Sequence, residues 1–397
     1  MTVDWAEWLN LAIRWFHLTA GIAWIGSSFY FVWLDNHLVP PKTGEASGEV
    51  WSVHGGGFYH KQKYQVAPSQ MPQDLHWFKW EAYTTWITGF FLLALVYWVG
   101  AKSVLIDPAK AALTPLQASG IGAASLVAGW LVYDGLCRSP LGRDNPVLGA
   151  VWFGALVLAA FALNQVFSAR GAYLHVGAIV GSAMVGNVFF VIIPNQRKVV
   201  AALVAGEVPD PALGKAAKAR SLHNNYMTLP VLFIMISHHY PMTFGAGRPW
   251  LVLALLGLTG VAVRHVFNLH HRGAPTAKAM AVAGVLALGT VTYVSAEKVT
   301  LPARAKSAAT GPADWASVQP IFAKHCTGCH AEKPTSDMVT APPLGVMLET
   351  YPHARLFAAR VRRVAVDAQI MPMGNTTGMT HAERDALGRW IAAGAPE

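Results

Sequence analysis

The most specific chemical signal in this chain is Cys326-Thr327-Gly328-Cys329-His330, a C-x-x-C-H motif. Two thiols three residues apart on a helical turn can add to the two vinyl groups of a haem, and the adjacent imidazole then faces the iron. The spacing predicts a covalent c-type haem with His330 as one axial ligand. A redox dithiol would want a βαβ setting and a zinc site would want further Cys or His ligands; neither is evident nearby. The second axial ligand is expected downstream on a loop. Gln369-Ile370-Met371-Pro372-Met373 offers two methionines, and Met371 is assigned to the iron with Met373 as the alternative. Met/His ligation raises a haem's potential.

A second set of chemically capable residues lies in apolar sequence, where an ionisable group is a functional candidate by default. Arg14, His17, Gly21 and Trp24 form one helical stripe, and His175, His238 and His239 fall near the ends of other apolar segments. Arg14 and His17 are read as substrate-handling groups. The alternative is a non-covalent b-type haem held by His17 and His175. A further cluster occupies the stretch WSVHGGGFYHKQKYQ and the following LHWFKWEAYTTW, with His54, Gly55–Gly57, His60, His76, Trp77, Trp80 and Glu81. The glycines look like a phosphate cradle, but no Walker pattern supports one. His54 and His60 are poorly spaced for zinc. Glu81 is the third catalytic candidate.

These groups must be positioned by membrane helices. The chain has 397 residues, of which 53% are hydrophobic and only 13% charged. A soluble chain carries about 25% charge, so a single soluble domain, a disordered chain and a disulfide scaffold are excluded. Eight apolar segments, near 11–34, 80–100, 117–136, 147–166, 172–193, 224–240, 249–267 and 279–296, approach the span length of about 20 residues. The sixth is interrupted by Pro230. Gly177, Gly181 and Gly186 in the fifth are expected to let neighbouring backbones approach closely. The odd-numbered connections, with Arg264 at the end of the seventh segment counted among them, hold 14 Lys and Arg against 4 in the even-numbered ones. That bias puts the odd loops in the cytoplasm and both termini outside, in the periplasm for a bacterial inner membrane.

The expected organisation is all-α: a transmembrane bundle over 1–296, a linker rich in small residues over 297–311, and a small domain over 312–397. The last holds eight basic and eight acidic side chains, so the net +9 belongs to residues 1–311, mostly the membrane part, and no nucleic-acid face is expected. An opening helix (DWASVQPIFAKH), the haem motif, a Met loop and a closing helix resemble a class I cytochrome c. Thr380 and Glu383 are spaced as a capping box, and Leu387, Trp390 and Ile391 share the closing helix's apolar face. The cytochrome resemblance implies a prolyl carbonyl orienting the haem histidine, here Pro342 or Pro343. It also implies attachment outside the cytoplasm, in agreement with the charge bias.

The segments RWFHLTAGIAWIGSSFYFVWLDNHL and VHGGGFY…LHWFKWEAYTTW, with eight spans and a cytochrome tail, resemble the bacterial membrane-bound urate oxidase (urate hydroxylase) family. The resemblance covers essentially the whole chain. It implies oxidation of urate to 5-hydroxyisourate, with electrons leaving through the cytochrome to a downstream cytochrome c or terminal oxidase. A membrane-anchored electron carrier without substrate chemistry is the alternative. A transporter with a cytochrome appendage is a weaker one.

Overall fold

A computed structural model describes residues 5–68, 71–72, 74–108, 110–300, 314–336, 339 and 341–397. The chain is mostly helical. Eight long helices occur among the described residues: α1 (Trp5–His37), α2 (Trp80–Val99), α3 (Pro115–Arg138), α4 (Asn145–Val166), α5 (Ala169–Val204), α6 (Pro211–Ser237), α7 (Pro249–His271) and α8 (Ala277–Thr300). They coincide with the eight apolar segments of the sequence. Six of them, α2 to α5 with α7 and α8, are long and apolar enough to cross a membrane. Helix α6 falls outside that set because Lys215, Lys218 and Arg220, followed by His223, Asn224 and Asn225, make its first half polar. Helix α1 mixes its apolar residues with Arg14, His17 and Asp35.

Local chemistry fixes several of these starts. Thr114 forms a capping box with Gln117 at the head of α3, and Asp144, Ser168 and Asp210 each accept a backbone N–H at the head of α4, α5 and α6. Such caps satisfy donors that the first helical turn leaves unpaired.

Helix α5 is the axis of the bundle. Its most apolar window is 67% buried, against 17–22% for the other apolar helices, because α2, α3, α4, α6 and α7 surround it. Small residues make this packing feasible. A Cβ at Gly177 would collide with Ile234 on α6, and one at Gly186 with the Trp130 ring on α3. Gly181 faces open space, so the expected close approach there does not occur.

One element departs from the all-α expectation. Strands β1 (Gly48–His54) and β2 (Gly57–Lys63) pair antiparallel, with Trp51 opposite His60 and His54 opposite Gly57. Gly55 and Gly56 turn the hairpin at φ of +59° and +79°. Two successive positive φ values are what a type I′ hairpin turn demands. The triple glycine is therefore turn chemistry, not a phosphate cradle. This hairpin marks one end of the bundle.

The C-terminal domain comprises α9 (Trp315–His325), α10 (Tyr351–Leu356), α11 (Ala358–Val361, continuing as a wider turn through Arg362–Asp367) and α12 (His381–Ala392). Thr380 and Glu383 form the expected capping box, and Leu387 and Trp390 are fully buried. Trp315, Phe322 and Trp390 pack as an aromatic core. Helix α8 continues past residue 296 to Thr300, and the rest of the expected linker lies outside the described residues. The C-terminal domain meets the other end of the bundle. There the turn Met373–Asn375 touches the short helix Ala101–Val104, and Ile370 packs against the bundle's core.

Candidate functional site

The C-x-x-C-H segment begins at the C-terminal end of α9 and turns back on itself, with the His330 N–H donating to the Cys326 carbonyl at 2.9 Å. The His330 Nδ1–H donates to the Val346 carbonyl at 3.0 Å, which fixes the tautomer and leaves Nε2 as the nitrogen with a lone pair. The orienting carbonyl is thus Val346, not Pro342 or Pro343; those prolines shape the turn that presents it. Burial pushes the Cys326 thiol up to about 12, opposite to the lowered value of a reactive dithiol. Met371 packs against the same apolar core as Cys326, whereas Met373 lies in the turn that meets the bundle. Arg384 pins this loop by donating to the Met371 carbonyl at 2.7 Å. Among the described residues no three His, Cys, Asp or Glu side chains gather around one point. The two thiols and the imidazole therefore do not converge as zinc ligands would. Thiols for a porphyrin edge, an imidazole with its far nitrogen free and a thioether on the same core fit a c-type haem.

At the docking end of the bundle the sequence-predicted groups each hold a different partner. Arg14 is exposed and donates to Asn10 of its own helix at 3.0 Å. His17 leans on α2 instead, with Nδ1 2.9 Å from the Thr85 carbonyl and 3.1 Å from the Thr88 hydroxyl, in a notch made by Gly89. His175 is fully buried; its Nδ1–H donates to the Gly171 carbonyl at 2.8 Å and its Nε2 accepts from Trp98 Nε1–H at 3.2 Å. Both ring nitrogens are taken, so His175 has none to offer an iron. A b-type haem shared by His17 and His175 does not fit this arrangement, because the two rings reach different stretches of α2. His238 and His239 pack on each other, 3.9 Å between centroids.

The hairpin end holds a large cavity, about 980 Å³, with a mainly apolar wall that carries a group of polar side chains. Helices α1, α5, α6 and α7 and the segment before α2 enclose it. Aromatic walls come from Trp24, Phe31, Trp77 and Phe78, and polar ones from His76, Asn224, Asn225, Thr228 and Asn268. Glu81 stands behind His76 at 4.0 Å, and its Oε2 is buried without a partner.

Beneath this cavity lies a polar network. Arg220 donates to Asp134 (2.6 Å) and to Asn187 (2.9 Å), and Asn187 donates to Asn224 (2.8 Å) and Tyr133 (2.9 Å). On the other side, Arg264 Nε and Asn268 Nδ2 both donate to Asn225 Oδ1, at 3.0 and 2.8 Å. The Arg264 guanidinium rests 3.9 Å from the Phe29 ring centroid. Three buried atoms of this second group, Arg264 Nη2, Asn225 Nδ2 and Asn268 Oδ1, have no partner. Leaving each unpaired costs about 1–3 kcal/mol, which a bound polar ligand would recover.

The family model described as "Urate oxidase N-terminal" matches residues 4–296, the whole helical bundle. The chain belongs to that family. No curated protein and no solved structure matches the chain. Membership makes this urate oxidase relative an oxidoreductase of the urate-related class. The match falls on the bundle that holds the cavity, not on the C-terminal domain.

The family member's buried network was missed from sequence. Arg220, Asn187, Asn224, Asn225, Arg264 and Asn268 were each present in or beside apolar segments. The available signal was Asn224-Asn225 opening the sixth segment and Arg264 near the end of the seventh with Asn268 one helical turn on, just past it.

Proposed function

We propose that this chain oxidises urate to 5-hydroxyisourate in the hairpin-end cavity and delivers the electrons to a c-type haem on its own C-terminal domain. The observation that carries this reading is the cavity itself, an apolar and aromatic chamber inside the family-defining bundle, where Asn225 and Asn268 in the wall each keep a buried hydrogen-bonding atom unpaired. A plain membrane anchor needs no such chamber.

The reaction takes urate and one water to 5-hydroxyisourate, two electrons and two protons. The haem, when bound by Cys326, Cys329, His330 and Met371, supplies a one-electron acceptor. The chain's own residues do the rest. Trp24, Trp77 and Phe78 offer faces on which a planar purine stacks. Lys218 and Arg272 at the cavity draw in an anion. His76, with Glu81 behind it, is the proton acceptor of the cavity wall. Trp24 also packs against the main core, and α2 carries Trp86, Phe90 and Trp98 with successive centroids 5.4 Å apart. Trp98 then meets His175 close to the docking end. This aromatic column is the electron route that the reading assigns.

On this reading all eight long helices span a bacterial inner membrane. The hairpin end faces the cytoplasm and the C-terminal domain the periplasm, as the Lys/Arg bias supports. Electrons continue to a separate cytochrome c or a terminal oxidase. The test is anaerobic addition of urate to the purified full chain, followed at the haem Soret and α bands. Reduction is expected with one urate lost for every two haems reduced, since each haem takes one of the two electrons. A haem that dithionite reduces and urate does not would make the chain an electron carrier instead.

A further inference from the structure

The partners of Asn225 and Asn268 fix which way each amide points, and hence what the cavity wall offers a ligand. An arginine Nε can only donate. The Asn225 atom 3.0 Å from Arg264 Nε is therefore its oxygen, and the other terminal atom is the NH2 group. That oxygen also faces the Asn268 amide at 2.8 Å, so Asn268 presents its nitrogen there and keeps its oxygen free. The assignment needs no visible hydrogens, because Arg264 sets the first amide and the first sets the second.

What remains is a complementary pair. Asn225 Nδ2 is a donor without a partner, and Asn268 Oδ1 is an acceptor without one. Both residues line the cavity and are at most 5% exposed. Next to them Arg264, 3% exposed and braced against Phe29, has an unpaired Nη2. Donor, acceptor and fixed positive charge come from two adjacent helices, α6 and α7.

We propose that Asn225 and Asn268 together read a cis-lactam edge, an N–H and a C=O on neighbouring ring atoms, of an anionic heterocycle held by Arg264. The ligand's carbonyl accepts from Asn225 Nδ2, and its ring N–H donates to Asn268 Oδ1. Both wall atoms have almost no exposed surface, so the ligand edge meets them only as the two amides turn toward the cavity. The pair sets specificity, since a heterocycle lacking the ring N–H leaves Asn268 Oδ1 buried and unpaired. A site built to hydrogen-bond a group rejects the analogue that lacks it far more strongly than an apolar pocket rejects a misfit. This inference rests on the cavity being the urate site.

Asn225→Asp is the diagnostic substitution. It keeps the oxygen that accepts from Arg264 and Asn268 but replaces the free donor by an acceptor that repels the ligand's carbonyl. Equilibrium dialysis of radiolabelled urate and xanthine against the purified, haem-loaded full chain reads the effect. Binding is expected to weaken on the order of 10- to 100-fold, from one lost hydrogen bond and one buried like-polarity contact. Caffeine, which has the xanthine skeleton with every ring N–H methylated, should fail to compete with xanthine in the unsubstituted protein. Haem content and the dithionite-reduced spectrum show that the variant is folded. Asn268→Ser, which withdraws the acceptor, should weaken binding as well. Binding within twofold of the unsubstituted protein in both variants would overturn the proposal, as would effective competition by caffeine. If urate fails to reduce the haem yet xanthine binds and Asn225→Asp releases it, the redox reading falls and the lactam site stands. If neither purine binds the unsubstituted protein, the lactam site falls.

Discussion

Replacing Gly122 by Ala probes whether the Trp98–His175 contact carries electrons toward the C-terminal domain. A Cβ at this position would lie 2.5 Å from His175 Nε2 and 2.9 Å from Trp98 Nε1. Ordinary carbon contacts need about 3.5–4.0 Å, so the rings must withdraw by roughly 1 Å. They have little room. His175 is fully buried, with the Phe167 and Tyr97 rings at 5.0 and 6.2 Å between centroids. The 3.2 Å hydrogen bond between Trp98 and His175 is then lost. Overpacking costs about 1–3 kcal/mol, and the stranded His175 Nε2 about as much again. The better helix propensity of Ala offsets about 1 kcal/mol. The net expectation is a destabilisation of about 1–5 kcal/mol. It should come with slower urate-dependent haem reduction and unaltered urate binding. Gly120→Ala is the control, because a Cβ there meets nothing within 4 Å. It should be neutral or stabilise by up to about 1 kcal/mol. Thermal unfolding in detergent and stopped-flow absorbance at the Soret band give both readouts. A Gly122→Ala protein that melts and transfers electrons like the Gly120→Ala control would refute the packing argument and the electron route together.

Other expectations follow from the C-terminal domain. Cys326→Ala with Cys329→Ala should abolish haem that survives acid–acetone extraction while the bundle still inserts; haem retained in that double variant would sink the attachment. Met371→Ala should lower the haem potential and remove the Met–iron charge-transfer absorption of the oxidised protein, whereas Met373→Ala should leave both; the reverse result would transfer the ligand role to Met373. Glu383 is held at about 2, first by the Thr380 backbone N–H and then by bonds from His325, the Thr380 hydroxyl and Lys324. Its folded value lies below the ordinary 4.5, so its stabilisation is full above about pH 4.5 and is lost as pH falls through about 2. With the carboxylate 23% exposed, screening leaves this worth on the order of 1–2 kcal/mol. Compared with Glu383→Gln by circular dichroism, the advantage should be present at neutral pH and vanish near the acid end; a constant difference across that range would count against it.

Much of this protein was determined by the sequence alone, because its strongest signals are local. Hydrophobic length places the six helices that are long and apolar enough to cross a membrane, since such a run is set by consecutive side chains and not by partners. The C-x-x-C-H spacing, the capping box at Thr380–Glu383 and the buried face of α12 are likewise contained within single turns. The hairpin was a local signal of a different kind. Gly55-Gly56 between β-prone runs carried it, and the surrounding helical segments obscured it. Only tertiary structure decided the cavity. Arg264 and Asn268 on α7 acquire their meaning from Asn225 on α6, 39 and 43 residues away in sequence, and no periodicity within one helix reveals that pairing. The same holds for His175, whose free-looking imidazole is closed off by Trp98 from another helix, 77 residues away. In an apolar bundle every helix has the same reason to be buried. Which polar side chains meet is therefore settled by helix rotation and packing, through contacts such as Gly177 against Ile234 and Gly186 against Trp130.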